Sequence, residues 1–493
     1  MPQPLCGQLD VVLARGGGTS LVEQLCGQLR HAMMTGRLAA GQQLPSSREL
    51  CGMLGVARNT VSAALDQLAR EGFIDVRQGR RPVVALPASL QRRGEGGNSS
   101  RPAKLHVSQW ARKIRASGWP FRSGVDQGPF APGLADAREF PHDLWARCLR
   151  SGARWALLQG DGDVNYRRLR HALLMHLMRE RGIRAQPSQI FFTPSAQAAL
   201  ELCARLVLDP GDLAWMESPG YPGARAALRN AGAIIAGVGV DTEGMAFEGR
   251  RDMPRAVFVT PSHQYPTGAL MSISRRKGLL ALAARAGAAI VEDDYDSEFH
   301  YEGKPVAALQ GLDTAGHVFY AGTFSKALFS GIRVGYMIVP ESFVDIFEQA
   351  QRHTGQIVAS ALQYGLAEFI EQGYFSAHIR RMNRIYRTRR DFLVEALEHR
   401  LAGRLRVQPP PGGMQLLAKL APGIDDTAVV QSLADLGISA RALSQHYIEP
   451  GGEAGLFLGF SASTNAEMLA AVALLEQCLS RRPFSEKEKG PQT

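Results

Sequence analysis

Apolar residues recur at helical spacing three times within residues 20–85. Leu21, Leu25 and Leu29 form the first stripe, and Ser20 and Glu23 stand before it at the spacing of a capping box. Ser46 and Glu49 repeat that signature ahead of Leu50 and Leu54, and Gly55 allows a tight turn. A third stripe, Val61, Leu65 and Leu68, predicts a helix that starts near Ala57 and is closed by Gly72. Two short apolar runs follow, Phe73-Ile-Asp-Val-Arg and Pro82-Val-Val-Ala, joined through Gln78-Gly-Arg-Arg. The pattern predicts three helices and a two-stranded wing.

From about residue 105 the pattern changes, and helical stretches alternate with short continuous apolar runs. The runs are Ile190-Phe-Phe-Thr, Leu213-Ala-Trp-Met, Ala233-Ile-Ile-Ala, Ala256-Val-Phe-Val, Ala289-Ile-Val-Glu and His317-Val-Phe-Tyr. Strands apolar on both faces and separated by helices predict an α/β fold with a mostly parallel sheet covered on both sides. Near residue 390 the pattern shifts again to a smaller α+β segment containing Pro409-Pro-Pro-Gly-Gly. Residues 87–104 are poor in apolar residues and rich in Gly, Ser and Arg, the composition of a hydrated linker. The expected organisation is a head at 1–86, the linker at 87–104, a large domain at 105–480 and a polar tail at 481–493.

Composition changes this picture only at its edges. The 493 residues are 45% hydrophobic and 21% charged, as in a soluble globular protein. No apolar run is long enough to span a bilayer, and the N-terminus lacks a basic segment followed by an apolar one, so a cytoplasmic location and no membrane partner are expected. Six cysteines lie far apart without a CxxC pair, which argues for reduced core thiols and no metal site. Residues 1–104 carry 13 Lys and Arg against 7 Asp and Glu, most of the chain's net +10. Such an excess suits either a polyanionic partner or a solvated basic surface.

The head carries chemistry for duplex DNA. The first residues of the third predicted helix, Arg58, Asn59 and Thr60, are where a helix-turn-helix meets base edges, and Arg and Asn can pair bidentately with guanine and adenine. Ser47 and Arg48 are placed to hold phosphate at the preceding helix start, and Arg77, Arg80 and Arg81 to follow the backbone or minor groove. The segment Leu44 to Arg77, LPSSRELCGMLGVARNTVSAALDQLAREGFIDVR, resembles the winged-helix domain of the GntR superfamily. The wing departs from that resemblance, with Gly79-Arg-Arg-Pro in place of Gly-Ser-Gly-Thr.

The large domain carries chemistry for an aldehyde cofactor. Lys326, within Gly322-Thr-Phe-Ser-Lys, follows an apparent strand, as a Schiff-base lysine at a sheet edge should. Thr323, Ser325 and Arg333 supply hydroxyls and a guanidinium for a phosphate. Asp293 ends another strand and can keep a pyridine nitrogen protonated, with Tyr295 beside it to meet a phenolic oxygen. Backbone N–H groups near Ser195, Ala196 and Gln197 can cradle the phosphate, Tyr221 can stack on the ring, and His263 and Tyr265 occupy a further post-strand loop.

Together these loops resemble the aminotransferase (fold type I) domain. With the head, the chain resembles the MocR/GabR group of regulators over roughly residues 20–475. The resemblance implies pyridoxal 5'-phosphate held as an internal aldimine on Lys326, with Asp293 on the pyridine nitrogen and Tyr295 on the phenolic oxygen. It also implies promoter DNA as partner and a head-to-tail homodimer. Four positions depart from the pattern. Phe457 stands where an arginine usually grips the substrate carboxylate, Ser195 replaces a Gly, Gln159 a Tyr and Ser330 a Pro. The expectation is therefore a regulator that senses an amine effector or the cofactor itself, without efficient turnover, rather than a working aminotransferase. Arg225 and Arg441 are candidates for holding an acidic effector.

Overall fold

A computed structural model describes residues 11–14, 19–77, 79–85, 105–116, 128–159, 165–302 and 306–480. The expected linker and tail, and Gln78 of the wing turn, lie outside the described residues. Contacts divide the chain into two compact units, Met1–Val107 and Ser108–Thr493.

The first unit contains α1 (Leu21–Met34), α2 (Ser47–Leu54) and α3 (Arg58–Arg70), then β1 (Ile74–Asp75) and β2 (Val83–Val84). Both capping boxes form, Ser20 with Glu23 and Ser46 with Glu49, and Gly55 takes the left-handed conformation that ends α2. The three stripes meet in one core of Leu25, Leu29, Leu50, Val61, Leu65 and Leu68, each fully buried leucine stabilising the unit by about 1.5–3 kcal/mol. Leu21 and Leu54, at the stripe ends, are only half-buried. The wing strands are shorter than the pattern predicts: only Ile74–Val84 and Asp75–Val83 pair, and the chain turns away through Gly79 at φ +79°.

The second unit is built on an eight-stranded sheet of β3 (Ile190–Thr193), β4 (Leu213–Ser218), β5 (Ile234–Asp241), β6 (Gly244–Met245), β7 (Ala256–Val259), β8 (Ala289–Asp294), β9 (Val318–Thr323) and β10 (Gly335–Ile338). Their order is β3-β10-β9-β8-β7-β4-β5-β6. Pairs β9/β8, β8/β7, β7/β4 and β4/β5 are parallel. All six apolar runs named from the sequence are strands of this sheet. Parallel order breaks at two strands: β10, inserted antiparallel between β3 and β9, and the short edge strand β6, antiparallel to β5. Apolar clusters cover both faces, one around Phe191, Phe258 and Phe347 and another around Trp215, Val257 and Leu279.

The 28-residue helix Tyr374–Leu401 leads into the smaller segment, an antiparallel sheet ordered β11-β12-β14-β13, with β11 (Leu405–Val407), β12 (Gln415–Leu420), β13 (Arg441–Ala442) and β14 (Gly455–Gly459). Helices Asp426–Asp435 and Asn465–Ser480 pack with it. Among the described residues no helix is long and apolar enough to cross a membrane.

Candidate cofactor site and nucleic-acid interface

Strand register gathers the chemistry-bearing residues at one end of the large sheet. Gly335 of β10 pairs with both Thr193 and Thr323, so the ends of β3 and β9 meet across it. On the other side of β9, Asp293 and Asp294 pair with Ala321 and Gly322. Each strand then delivers its loop to this edge, where ligands bind in open α/β sheets.

Lys326 lies in the single turn Phe324–Ala327 directly after β9, and its Nζ donates to the Gly133 carbonyl at 2.6 Å. Gly133 has φ +64°, and a Cβ there would stand 2.6 Å from Nζ, so the close approach requires glycine. Thr323 caps the turn, its hydroxyl accepting from the Ser325 N–H at 3.1 Å. Ser195 caps helix Ala196–Val207, accepting from the Ala198 N–H at 3.1 Å. The N–H groups of Ala196 and Gln197 begin that helix, where no carbonyl precedes them to accept. Gly335 packs against this turn so closely that a Cβ would lie 2.4 Å from the Ala196 nitrogen.

Asp293 is buried, and its Oδ1 has no hydrogen-bond partner. Burial, with Asp294, Asp296 and Glu217 nearby, pushes its carboxyl up to about 7, against the opposing pull of Lys326. Glu217, at the end of β4, is likewise raised to about 7 by burial. Its Oε2 accepts from the Thr260 hydroxyl at 2.6 Å and its Oε1 has no partner. The Tyr295 hydroxyl sits 3.2 Å from His263 Nδ1 and 3.4 Å from Gln415 Nε2. His263 Nδ1 also meets Asp296 Oδ1 at 3.0 Å, while its Nε2 is buried without a partner. Tyr221 and Tyr265 form an edge-to-face pair at 5.3 Å.

An unmatched carboxylate oxygen in a buried site calls for a donor, and a protonated pyridine nitrogen is one. The orphaned Oδ1 of Asp293, the Lys326 amine and the helix start at Ala196 fit the three ends of pyridoxal phosphate: ring nitrogen, aldehyde and phosphate. The structure carries Lys326, Asp293, Tyr295, Tyr221, His263, Thr323 and Ser325 at or just after strand ends along one edge of the sheet. Arg333 is exposed in a left-handed conformation, φ +51°, an outlier of the sort that clusters at ligand sites. Gln159 ends helix His142–Gln159, and Ser330 is exposed. Sequence reading missed Gly133, Glu217, Asp296 and Gln415. The Gly-rich run before Gln415 was a usable signal, since a Cβ on Gly413 would lie 2.0 Å from the His263 ring; Gly133, 193 positions from Lys326, offered none.

Phe457 of β14 is buried, its ring 5.0 Å from that of Tyr265, and it pairs across β13 with Arg441. Arg441 and Arg225 both press on His446, which burial first and then these cations hold near 4. Arg225 donates to the Tyr447 carbonyl at 3.2 Å.

In the first unit, Arg58 and Asn59 are exposed and Thr60 half-buried at the start of α3, whose N-cap Ala57 offers no side-chain acceptor. Arg48 is exposed and Ser47 half-buried at the start of α2. Of the wing arginines, Arg81 pairs with Glu49 at 2.6 Å and Arg77 with Asp75 at 3.0 Å, while Arg80 is exposed.

Fold and site together define a winged-helix transcription regulator whose second unit is an aminotransferase-class domain, and the cofactor of that class is pyridoxal phosphate. Residues 21–84 match the family of bacterial regulatory proteins of gntR type, and residues 160–473 match aminotransferase class I and II. The chain is 36% identical over 458 residues to the probable rhizopine catabolism regulatory protein MocR of Rhizobium meliloti, covering 92% of each. It is 33% identical over 461 residues to the transcriptional regulator TauR of Rhodobacter capsulatus, covering 89% of this chain and 90% of that one. Among solved structures, LysN of Thermus thermophilus, an alpha-aminoadipate aminotransferase complexed with N-(5'-phosphopyridoxyl)-L-leucine, superimposes with a TM-score of 0.67 at 26% identity, over 76% of this chain and 97% of that one. The chain belongs to the MocR family of transcription regulators.

Proposed function

We propose that the second unit senses a small amine effector at pyridoxal phosphate held on Lys326, and that occupancy there alters how the first unit binds promoter DNA. The observation that carries this reading is the partnerless Asp293 Oδ1 at the same sheet end as Lys326. When bound, the cofactor supplies an electrophilic aldehyde carbon conjugated to a ring that withdraws electrons. Asp293 holds the ring nitrogen's proton, Tyr295 meets the phenolic oxygen, and Tyr221 stacks on the ring. Ser195, the N–H groups of Ala196 and Gln197, Thr323, Ser325 and Arg333 hold the phosphate. Lys326 would hold the cofactor through its aldehyde carbon, and an incoming amine would compete with the lysine amine for that carbon.

Efficient amino-acid turnover is not expected. A phenyl ring at 457 cannot pair with a carboxylate, and losing one partner of such a pair costs on the order of 2–5 kcal/mol. Arg441, one strand across from Phe457, and Arg225 are the cations this wall offers to an acidic effector. In the first unit, Arg58 and Asn59 read bases, Thr60 supports them, Ser47 and Arg48 hold phosphate, and Arg77, Arg80 and Arg81 follow the backbone. The working form is a head-to-tail homodimer. Helix His142–Gln159 supports the second copy, exposing Leu157 at 87%, Leu158 at 77% and Trp155 at 47%, a patch that marks an interaction surface.

Lys326→Ala should abolish the visible absorbance band of the cofactor-loaded protein while leaving its thermal unfolding in place. A variant that keeps the native spectrum would refute the assignment. Candidate amines supplied with a keto-acid acceptor should give no product over many turnovers; sustained turnover would make the protein an enzyme.

A further inference from the structure

A cavity of about 600 Å³ lies in the second unit between helix Arg167–Arg181, helix Tyr374–Leu401 and the loop carrying Ser297, Glu298 and His300. Its size falls in the range of about 300–1,000 Å³ typical of small-molecule sites. Four polar atoms of its wall are buried without a hydrogen-bond partner: His176 Nδ1, Glu298 Oε2, His300 Nε2 and Asn383 Oδ1. Each such atom costs about 1–3 kcal/mol if nothing meets it, so an apolar occupant is excluded.

His176 is 8% exposed and packs edge-to-face on Phe375 at 5.0 Å, so its ring is fixed. The Asn383 amide already donates to the Glu298 carbonyl at 2.8 Å and the Ile379 carbonyl at 3.2 Å, which leaves its Oδ1 to accept. Three guanidiniums line the wall. Arg181 pairs with Asp294, Arg179 pairs with Glu180, and Arg380 is exposed. Burial raises the Glu298 carboxyl to about 8, so near neutrality it keeps its proton and offers a hydrogen-bond donor rather than a charge. Burial holds His176 near 4, and its ring is neutral. The wall therefore presents three guanidiniums against the Glu180 carboxylate that pairs with Arg179, and several hydrogen-bonding groups, with one amide oxygen, Asn383 Oδ1, left to accept. Among the described residues no group of three or more His, Cys, Asp and Glu could hold a metal ion.

We propose that this cavity is a second small-molecule site, separate from the cofactor site, for a small organic anion that also carries a hydroxyl or ammonium donor. Its anionic group faces Arg380 and Arg179, and its donor meets Asn383 Oδ1. Arg181, Ser297 and His300 also line a small crevice that contains His263 and Asp296, so the cavity and that crevice have a common wall.

The test is calorimetric titration of the cofactor-loaded full chain with L-malate and with glycerol 3-phosphate, which separate a carboxylate from a phosphate source. Neither carries an amine, so neither reacts at the cofactor. One of them is expected to bind once per chain with Kd of about 1 mM or tighter. Arg380→Gln should weaken that binding at least tenfold, and Lys326→Ala should leave it within twofold. No saturable binding of either probe would overturn the proposal, as would binding insensitive to Arg380→Gln or lost in Lys326→Ala. A crystal grown with the bound probe that holds only ordered water in the cavity would do the same.

Discussion

Asp293 illustrates what a single residue contributes. Its carboxyl titrates near 7 in the folded chain and near 3.8 when exposed, so the native state holds the proton more tightly than the unfolded one. The stability this gives is complete below about 4 and is lost as pH rises through about 7. For cofactor-free protein, the melting temperature of Asp293→Asn relative to the native chain should therefore rise between these pH values, on the order of a few degrees. Scanning calorimetry across that range checks it, and a constant difference would show that folding does not raise the proton affinity of this carboxyl. The residue types here were legible in advance because each carries chemistry of its own. Their neighbours were not: Gln415 and Asp296, which fix Tyr295 and His263, are ordinary polar residues until the fold sets them 3.0 Å apart.

Helix starts and glycine contacts set the next scale. The turn Ser195–Gln197 is held by Gly335 of an adjacent strand, so Gly335→Ala should force the Ala196 nitrogen away and spoil the phosphate cradle. Overpacking of this kind costs about 1–3 kcal/mol, and cofactor affinity should fall at least tenfold. Spectroscopic titration with pyridoxal phosphate measures it; native affinity would place the phosphate elsewhere. At the start of α3, Arg58→Ala should weaken operator binding by about 1–3 kcal/mol while sparing unrelated DNA. Equal loss on both sequences would make Arg58 a phosphate contact. The helix starts of the first unit were readable to within a residue because caps and stripes are local signals, as Ser46 and Glu49 show. The antiparallel β10 was not, since a run of four apolar residues carries no mark of direction.

For the whole molecule, the apolar end of helix His142–Gln159 is the element to challenge. If the proposed homodimer uses this face, replacing Leu157 and Leu158 by Glu should leave the protein monomeric in sedimentation where the native chain is dimeric, because charges cannot be buried in an apolar interface. Operator affinity should fall with it, since two heads joined in one particle bind at high effective concentration. A variant that remains dimeric would move the interface to another face.

The order of local patterns along this chain was enough to indicate a winged-helix head and an α/β cofactor domain, and to single out Lys326 and Asp293 at strand ends and Phe457 at the place where an arginine was expected. Each depends on residues close together in the chain, where periodicity, caps and strand-end motifs act through short-range geometry. The fold alone decided which distant residues share a wall: Gly133 against Lys326, Arg441 across from Phe457, and the ring of unmatched polar atoms around His176 and Asn383. Those relations come from strand register and helix packing between segments up to about two hundred residues apart, and no pattern read along the sequence encodes them directly.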